Sequence, residues 1–358
     1  MASSEDIAKH LAAGDVRAVA RACRMVDERW PGHIELLRAL FSRAQGSWWI
    51  GITGSPGVGK STLTSRLVQH LRAAGERVGV VAVDPSSPFS GGALLGDRIR
   101  MQSHWDDPEV FIRSVATRGA VGGLSRTTAD IARVLSAWGA RVVLIETVGV
   151  GQDELDVMHV AHTTLVVQAP GAGDDLQAAK AGLLECADVL VVNKADVPGA
   201  DSAVQHLRGM LALGRITGKA SGFGVGHGGS ATFLGYDRPR HDTSEADAPV
   251  ATASEPADWE VPVSSCVATR DEGVQPLLLE LRRHFVWLTT TPAGQARRLA
   301  RSRLELTALL RERLSSALLE DCAAEIEVLA ERVSRGELDP WAASQALLSH
   351  WQLDGETG

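Results

Sequence analysis

Apolar residues recur along the chain with two different periods, and the switch between them divides it. Up to about residue 46, Ile7, Leu11, Val16, Val19 and Ala20 fall near helical spacing, with Arg and Glu on the other face. Pro31 and Gly32 interrupt that pattern before a second helix through Ile34, Leu37 and Leu40. From Trp48 onward, short continuous apolar runs take over: Trp49–Thr53, Val78–Asp84, Phe111–Ser114, Val142–Glu146, Thr164–Gln168 and Val189–Asn193. Runs of this length, separated by helical stretches of about 10 to 20 residues, predict buried strands of a parallel sheet joined by crossover helices. Such a sheet places its ligand beyond the C-terminal strand ends.

Between Thr217 and Glu260 neither period survives. Gly, Pro, Ser and Asp dominate there, which predicts a flexible polar insertion. Val261–Val267 restores a strand, and from Pro292 the chain reads as helices, with Leu299, Leu304, Leu309, Leu310 and Leu314 set among Arg and Glu. A further helix covers roughly Asp321–Ser334 and ends near Gly336. Another, Pro340–Trp351, starts from an Asp339 cap. The expected organisation is a doubly wound, mostly parallel α/β domain over 47–291. A helical extension, 1–46, precedes it, the insertion at about 217–260 interrupts it, and a helical arm, 292–358, follows.

Composition narrows the function classes. The chain has 358 residues, 44 of them acidic and 36 basic, a formal net charge of −8. Phosphate-backbone affinity rests on a Lys/Arg surplus, so a general nucleic-acid binder is not expected. Cys23, Cys186, Cys266 and Cys322 lie far apart without a CxxC pair, which argues against a zinc ribbon or disulfide framework and for a reducing compartment. There is no apolar run long enough for a membrane helix, and Met1–Lys9 is polar and acidic, so a cytoplasmic protein is expected.

The chemistry is carried by a few local motifs. Gly54, Ser55, Pro56, Gly57, Val58, Gly59, Lys60, Ser61 and Thr62 satisfy GxxxxGK[ST] between a predicted strand and a predicted helix. Glycines there let successive backbone N–H groups turn towards phosphates, while the helix start adds a positive dipole. Lys60 is expected at the β- and γ-phosphates, and the Ser61 hydroxyl on Mg²⁺. Asn193, Lys194 and Asp196 follow a strand as NKAD. A carboxylate at Asp196 accepts from guanine N1–H and the 2-amino group, a pair that adenine lacks. Asp84, Asp97 and Glu146 stand at or just past strand ends as candidate metal ligands, although Asp84 before Pro85 also suits a turn. Glu146-Thr-Val-Gly149 reads as a γ-phosphate sensor, with the Gly149 N–H at the terminal phosphate and release of the next loop on hydrolysis. Val150 then occupies the place where a Ras-like GTPase carries its water-positioning glutamine, so slow intrinsic hydrolysis that needs a partner's help is expected. His159 and His162 lack a third ligand and read as ordinary histidines. Arg113, Arg118 and Arg126 are weaker candidates for transition-state charge, and the nine tryptophans read as packing or interface residues.

With these residues placed, the chain resembles the methylmalonyl-CoA mutase-associated GTPases, the MeaB/ArgK family of SIMIBI-class P-loop proteins. The likeness runs through GITGSPGVGKST, VAVDPSSPFSGGALLGDRIRM, IETVGVGQ, PGAGDDLQAAKAGLLECADVLVVNKAD and RVSRGELDPWAASQALL. It implies a GTP-driven chaperone that gates cofactor loading into an adenosylcobalamin-dependent acyl-CoA mutase and protects or reactivates that enzyme. It also implies homodimers joined by the C-terminal helices. Carried over, Lys60, Ser61, Asp84, Asp97 and Glu146 fall on phosphate and metal positions, and Asn193, Lys194 and Asp196 on guanine positions. Gly173, Asp174, Gln177 and Lys180 fall on an additional switch facing the mutase. The family's Ser-Ala pair over the guanine is here Val267-Ala268, from which a backbone N–H is still expected to contact the guanine carbonyl, so guanine binding is expected to survive. The insertion is longer and more polar than the family pattern, and His162 replaces an acidic residue expected to act behind the switch. These departures imply a paralogue serving a different acyl-CoA mutase. Rival readings are a kinase linked to amino-acid transport and a nickel-type metallochaperone GTPase. The first lacks a catalytic loop with a substrate base, and the second lacks a His-rich tract.

Overall fold

A computed structural model describes residues 3–84, 104, 106–116, 123–147, 160–171, 186–216 and 258–355. Seven strands, β1 (Trp48–Thr53), β2 (Val78–Asp84), β3 (Val110–Ala116), β4 (Val142–Thr147), β5 (Thr163–Gln168), β6 (Val189–Val192) and β7 (Val263–Ser265), form one sheet in the order β3-β2-β4-β1-β5-β6-β7. Every pairing in it is parallel. β1, β4, β5 and β6 are buried along their whole length, as strands covered on both faces must be. From β1 the chain crosses to β2 on one side and later continues through β5 on the other. That reversal opens the crevice at the C-terminal end of β1.

Alternation along the strands sends side chains to two cores. On one face Ile50, Ile52, Leu144, Leu165 and Val191 meet Leu63, Leu67 and Leu71 of α4 (Lys60–Ala73) and Leu277 and Leu281 of α7 (Val274–Thr290). On the other, Val81, Val83, Val143 and Ile145 meet Ile131, Leu135 and Trp138 of α5 (Gly123–Trp138). Further along that face, Val166, Leu190 and Val192 meet Ala200 and Leu207 of α6 (Ala200–Ile216). The fold is the doubly wound parallel sheet that the apolar runs predict.

The amino-terminal segment differs in detail. It forms three helices rather than two: α1 (Ser4–Ala12), α2 (Val16–Asp27) and α3 (His33–Leu40). The break comes at Gly14 and Asp15, where the Asp15 carboxylate accepts from the Arg17 N–H at 2.8 Å and caps α2. Val16 therefore starts a new helix instead of continuing α1. These helices bury Ile7, Leu11, Val19, Leu36 and Leu40 in the core that α5 shares with the sheet.

The chain divides into two compact units, residues 1–299 and 300–358. The boundary falls within α8 (Pro292–Asp321). In the second unit, α9 (Ala323–Ser334) and α10 (Pro340–Gly355) follow, and the Asp339 side chain caps α10 by accepting from the N–H groups of Trp341 and Ala342. Leu306, Leu310, Leu314 and Leu319 along α8 are exposed, as are Val328 and Trp341. No helix among the described residues is long and apolar enough to cross a membrane.

Candidate nucleotide site

The GxxxxGK[ST] loop runs from β1 into α4, at the C-terminal edge of the sheet. Two of its glycines are required by space as well as by torsion. Gly54 has a φ of 140°, and a Cβ there would lie 2.1 Å from the Val167 carbonyl oxygen. Gly59, at φ 94°, would put a Cβ 2.4 Å from the Asn193 side-chain nitrogen. Gly59 precedes α4 without a side-chain cap, so the first amides of that helix lack a side-chain acceptor of the usual kind. A helix start and its dipole at a glycine turn suit an anion.

Lys60 is buried and donates from Nζ to the carbonyl oxygens of Gly54 at 2.6 Å and Ser55 at 3.2 Å. Its ammonium thus lies inside the loop rather than in solvent. The Ser61 hydroxyl donates to Glu146 Oε1 at 2.5 Å. Glu146 comes from β4, whose register pairs it with Ile52 of β1 and Ala82 of β2, and it is 2% exposed. A hydroxyl and a carboxylate side by side are hard oxygen donors of the kind Mg²⁺ selects. Asp84 closes β2, paired with Ala116 of β3. Asp97, Gly149, Gly173, Asp174, Gln177 and Lys180 lie outside the described residues, as do His159 and Arg118.

The NKAD motif leaves the end of β6 next to the loop. Asn193 is buried and works as a bracket: its Nδ2 donates to the Val58 carbonyl at 2.8 Å, and its Oδ1 accepts from the Ala268 N–H at 3.0 Å. The Cys266 thiol approaches the same oxygen at 3.5 Å, and burial pushes its pKa up to about 12, so it stays a neutral donor. These partners fix the orientation of the amide. Lys194 adopts a φ of 58°, which turns the chain so that Asp196 follows on the exposed side. The Val267-Ala268 pair therefore does stand beside the motif, joined through Asn193. Cys266, Arg66 and Arg270 also build this corner, and no local sequence signal marks them. Arg66 donates to the carbonyls of Ala268 and Thr269 at 3.0 Å each, and Arg270 pairs with Asp196.

Other candidates have structural partners. Arg113 bonds Asp27 of α2 at 2.7 Å, and Arg126 lies 3.8 Å from Asp130 within α5. His162 precedes β5 at the N-terminal end of the strands, stacked on Trp49 and accepting from its N–H at 3.0 Å. That end lies opposite the glycine loop. Trp259, assigned by composition to the polar insertion, packs against His284 and Trp287 and donates to the Asp188 carbonyl. The insertion's last residues thus belong to the folded domain, because a half-buried, stacked indole outweighs the polar stretch before it.

Residues 19–323 match the family model described as methylmalonyl Co-A mutase-associated GTPase MeaB. A protein of Pyrococcus abyssi named a GTPase is 37% identical over 350 residues, covering 96% of this chain and 95% of its own. GTPase ArgK of Escherichia coli is 40% identical over 192 residues, 52% of this chain and 58% of that one. Among solved structures, one described as the LAO/AO transport system kinase aligns with a TM-score of 0.64 at 23% identity, covering 98% and 97% of the two chains. It shares the fold.

Proposed function

The chain belongs to the methylmalonyl-CoA mutase-associated GTPase family, and on that premise we propose that it is a Mg²⁺-dependent GTPase acting as chaperone to an adenosylcobalamin-dependent acyl-CoA mutase. The observation that carries the enzymatic part is the convergence of Lys60, the Ser61–Glu146 pair and the Asn193 bracket on one glycine loop. In this reading the loop amides of Gly54 to Thr62 hold the phosphates. Lys60 turns from the Gly54 carbonyl to the β- and γ-phosphate oxygens. Ser61 and Glu146, with Asp84 and Asp97, would hold Mg²⁺, which supplies charge neutralisation at those oxygens.

Water attacks the γ-phosphorus in line, the new P–O bond forms as the bond to the β-phosphate oxygen breaks, and GDP and phosphate leave. Lys60 stabilises the charge that develops on the leaving oxygen. The N–H of Gly149 touches the γ-phosphate and releases its loop on hydrolysis. Gly173, Asp174, Gln177 and Lys180 pass that change to the mutase. Asn193, Lys194, Asp196 and the Val267-Ala268 turn select guanine. The exposed leucines of α8 are the surface through which two copies pair, and the protein works in the cytoplasm.

Nucleotide titration tests the base, with GTP bound far more tightly than ATP. Equal affinities would remove the guanine assignment. A turnover assay with each cobalamin-dependent acyl-CoA mutase of the source organism tests the client. Stimulation by one of them is the expected result, and no stimulation by any would overturn the chaperone reading.

A further inference from the structure

Asp196 does not stand alone on its loop. Its Oδ2 meets Arg270 Nη2 at 3.1 Å. Arg270 ends a short 3₁₀ turn, Ala268–Arg270, that is tied down from several sides. Val267 donates to the Glu272 carbonyl at 2.9 Å, and Ala268 donates to Asn193 at 3.0 Å. Arg66 holds two of the turn's carbonyls from α4, and His70 bonds Asp271 at 2.8 Å. The backbone that carries Arg270 is therefore fixed relative to both the glycine loop and the NKAD motif.

The Asp196 carboxylate has no comparable restraint in its own covalent structure. Rotation about its last side-chain bond is broad and roughly two-fold, and its side chain is 31% exposed. A contact with one oxygen tolerates that rotation. Simultaneous acceptance from guanine N1–H and the 2-amino group does not, because both oxygens must lie in the plane of the base. The Arg270 guanidinium beside Oδ2 favours one rotation of the carboxylate, and so one plane, while leaving Oδ1 and a lone pair on Oδ2 to accept from the base.

We propose that Arg270 is a positioning residue that sets the plane of the Asp196 carboxylate and thereby the preference for guanine over hypoxanthine. The proposal rests on the reading of Asp196 as the guanine acceptor. Hypoxanthine keeps N1–H and lacks the 2-amino group, so it needs one oxygen only and is indifferent to the brace.

The test is calorimetric titration of the full-length protein with GDP, inosine diphosphate and ADP. Arg270→Ala is expected to weaken GDP binding by about three- to fivefold, the upper range for an exposed ion pair. Inosine diphosphate binding then changes by less than about twofold, and Arg270→Lys recovers part of the ratio. A residue that merely supported the fold would weaken both nucleotides alike and lower the thermal midpoint. A GDP to inosine diphosphate ratio unchanged in Arg270→Ala overturns the proposal. Asp196→Ala separates the two levels: if it keeps the parent's preference for GDP over ADP, the guanine assignment itself fails.

Discussion

At the C-terminal strand ends, Lys60, Ser61, Glu146 and Asn193 meet on loops and helix starts; at the N-terminal ends, Thr163, Asp188, His284 and Arg297 meet between strand starts and helix sides. Both groups are largely buried polar clusters drawn from distant parts of the chain, and their partners differ. At the glycine loop the side chains bond loop carbonyls and one another. At the other end the cluster is closed. Trp48 Nε1 donates to Thr163 Oγ1 at 2.9 Å, and the Thr163 hydroxyl in turn bonds His284 Nδ1 at 2.9 Å. The other ring nitrogen, Nε2, lies 3.5 Å from Asp188 Oδ1. Asp188 also binds Arg297 and the Thr164 N–H, and Trp259 and Trp287 cover the imidazole.

A threonine, a histidine and an aspartate in line resemble a hydrolytic triad, yet the threonine and histidine are fully buried, so no substrate reaches them. Residue types alone do not distinguish a site from a structural joint. Access does.

Four measurements press on this contrast. Asp188→Ala leaves Arg297 without its partner and is expected to lower unfolding stability by about 3–5 kcal/mol in urea melts. Nucleotide affinity per folded molecule stays near the parent's; a selective loss of GTP binding would make this end part of the site. Lys60→Ala is the converse case. Its expected loss of turnover is on the order of 10²–10³-fold with little change in the melt, and a large drop in stability with normal turnover would make Lys60 a structural residue.

The third is a pH effect. Burial lowers the His284 pKa to about 4; the Asp188 charge opposes the shift and Arg297 adds to it. The unfolded imidazole takes a proton below about 6.5, while the folded one stays neutral until near 4. Stability is therefore flat above about pH 6.5 and falls as pH drops below it, by about 2 kcal/mol at pH 5. Melts at pH 7 and 5 check this, and His284→Gln should flatten the slope. The smallest effect belongs to Arg66→Ala, which frees two carbonyls of the 268–270 turn and costs about 1 kcal/mol. Its sharper signature is a few-fold weaker GDP affinity, and unchanged affinity would detach that turn from the base.

How much of this was legible beforehand follows from distance along the chain. Gly54 to Thr62 and Asn193 to Asp196 are contiguous motifs, and the strands are contiguous apolar runs, so each can be read without knowing what lies opposite. The Asn193 bracket, by contrast, joins residues 75 positions apart, and the Arg297–Asp188 bond spans 109. Neither Cys266 nor Arg270 sits in a pattern that would single it out. His162 read as an ordinary histidine, and only the fold shows it stacked on Trp49 at the N-terminal end of the strands. The split of the first predicted helix turned on a single capping aspartate within an otherwise helical period.

Local order along the chain thus specified the class of fold, the glycine loop and the NKAD motif, because periodicity and backbone torsion are properties of neighbouring residues. Only the folded sheet decided which polar clusters face solvent, which are sealed, and which arginine meets the carboxylate of Asp196. Burial and pairing are set by what strand order and helix packing bring together.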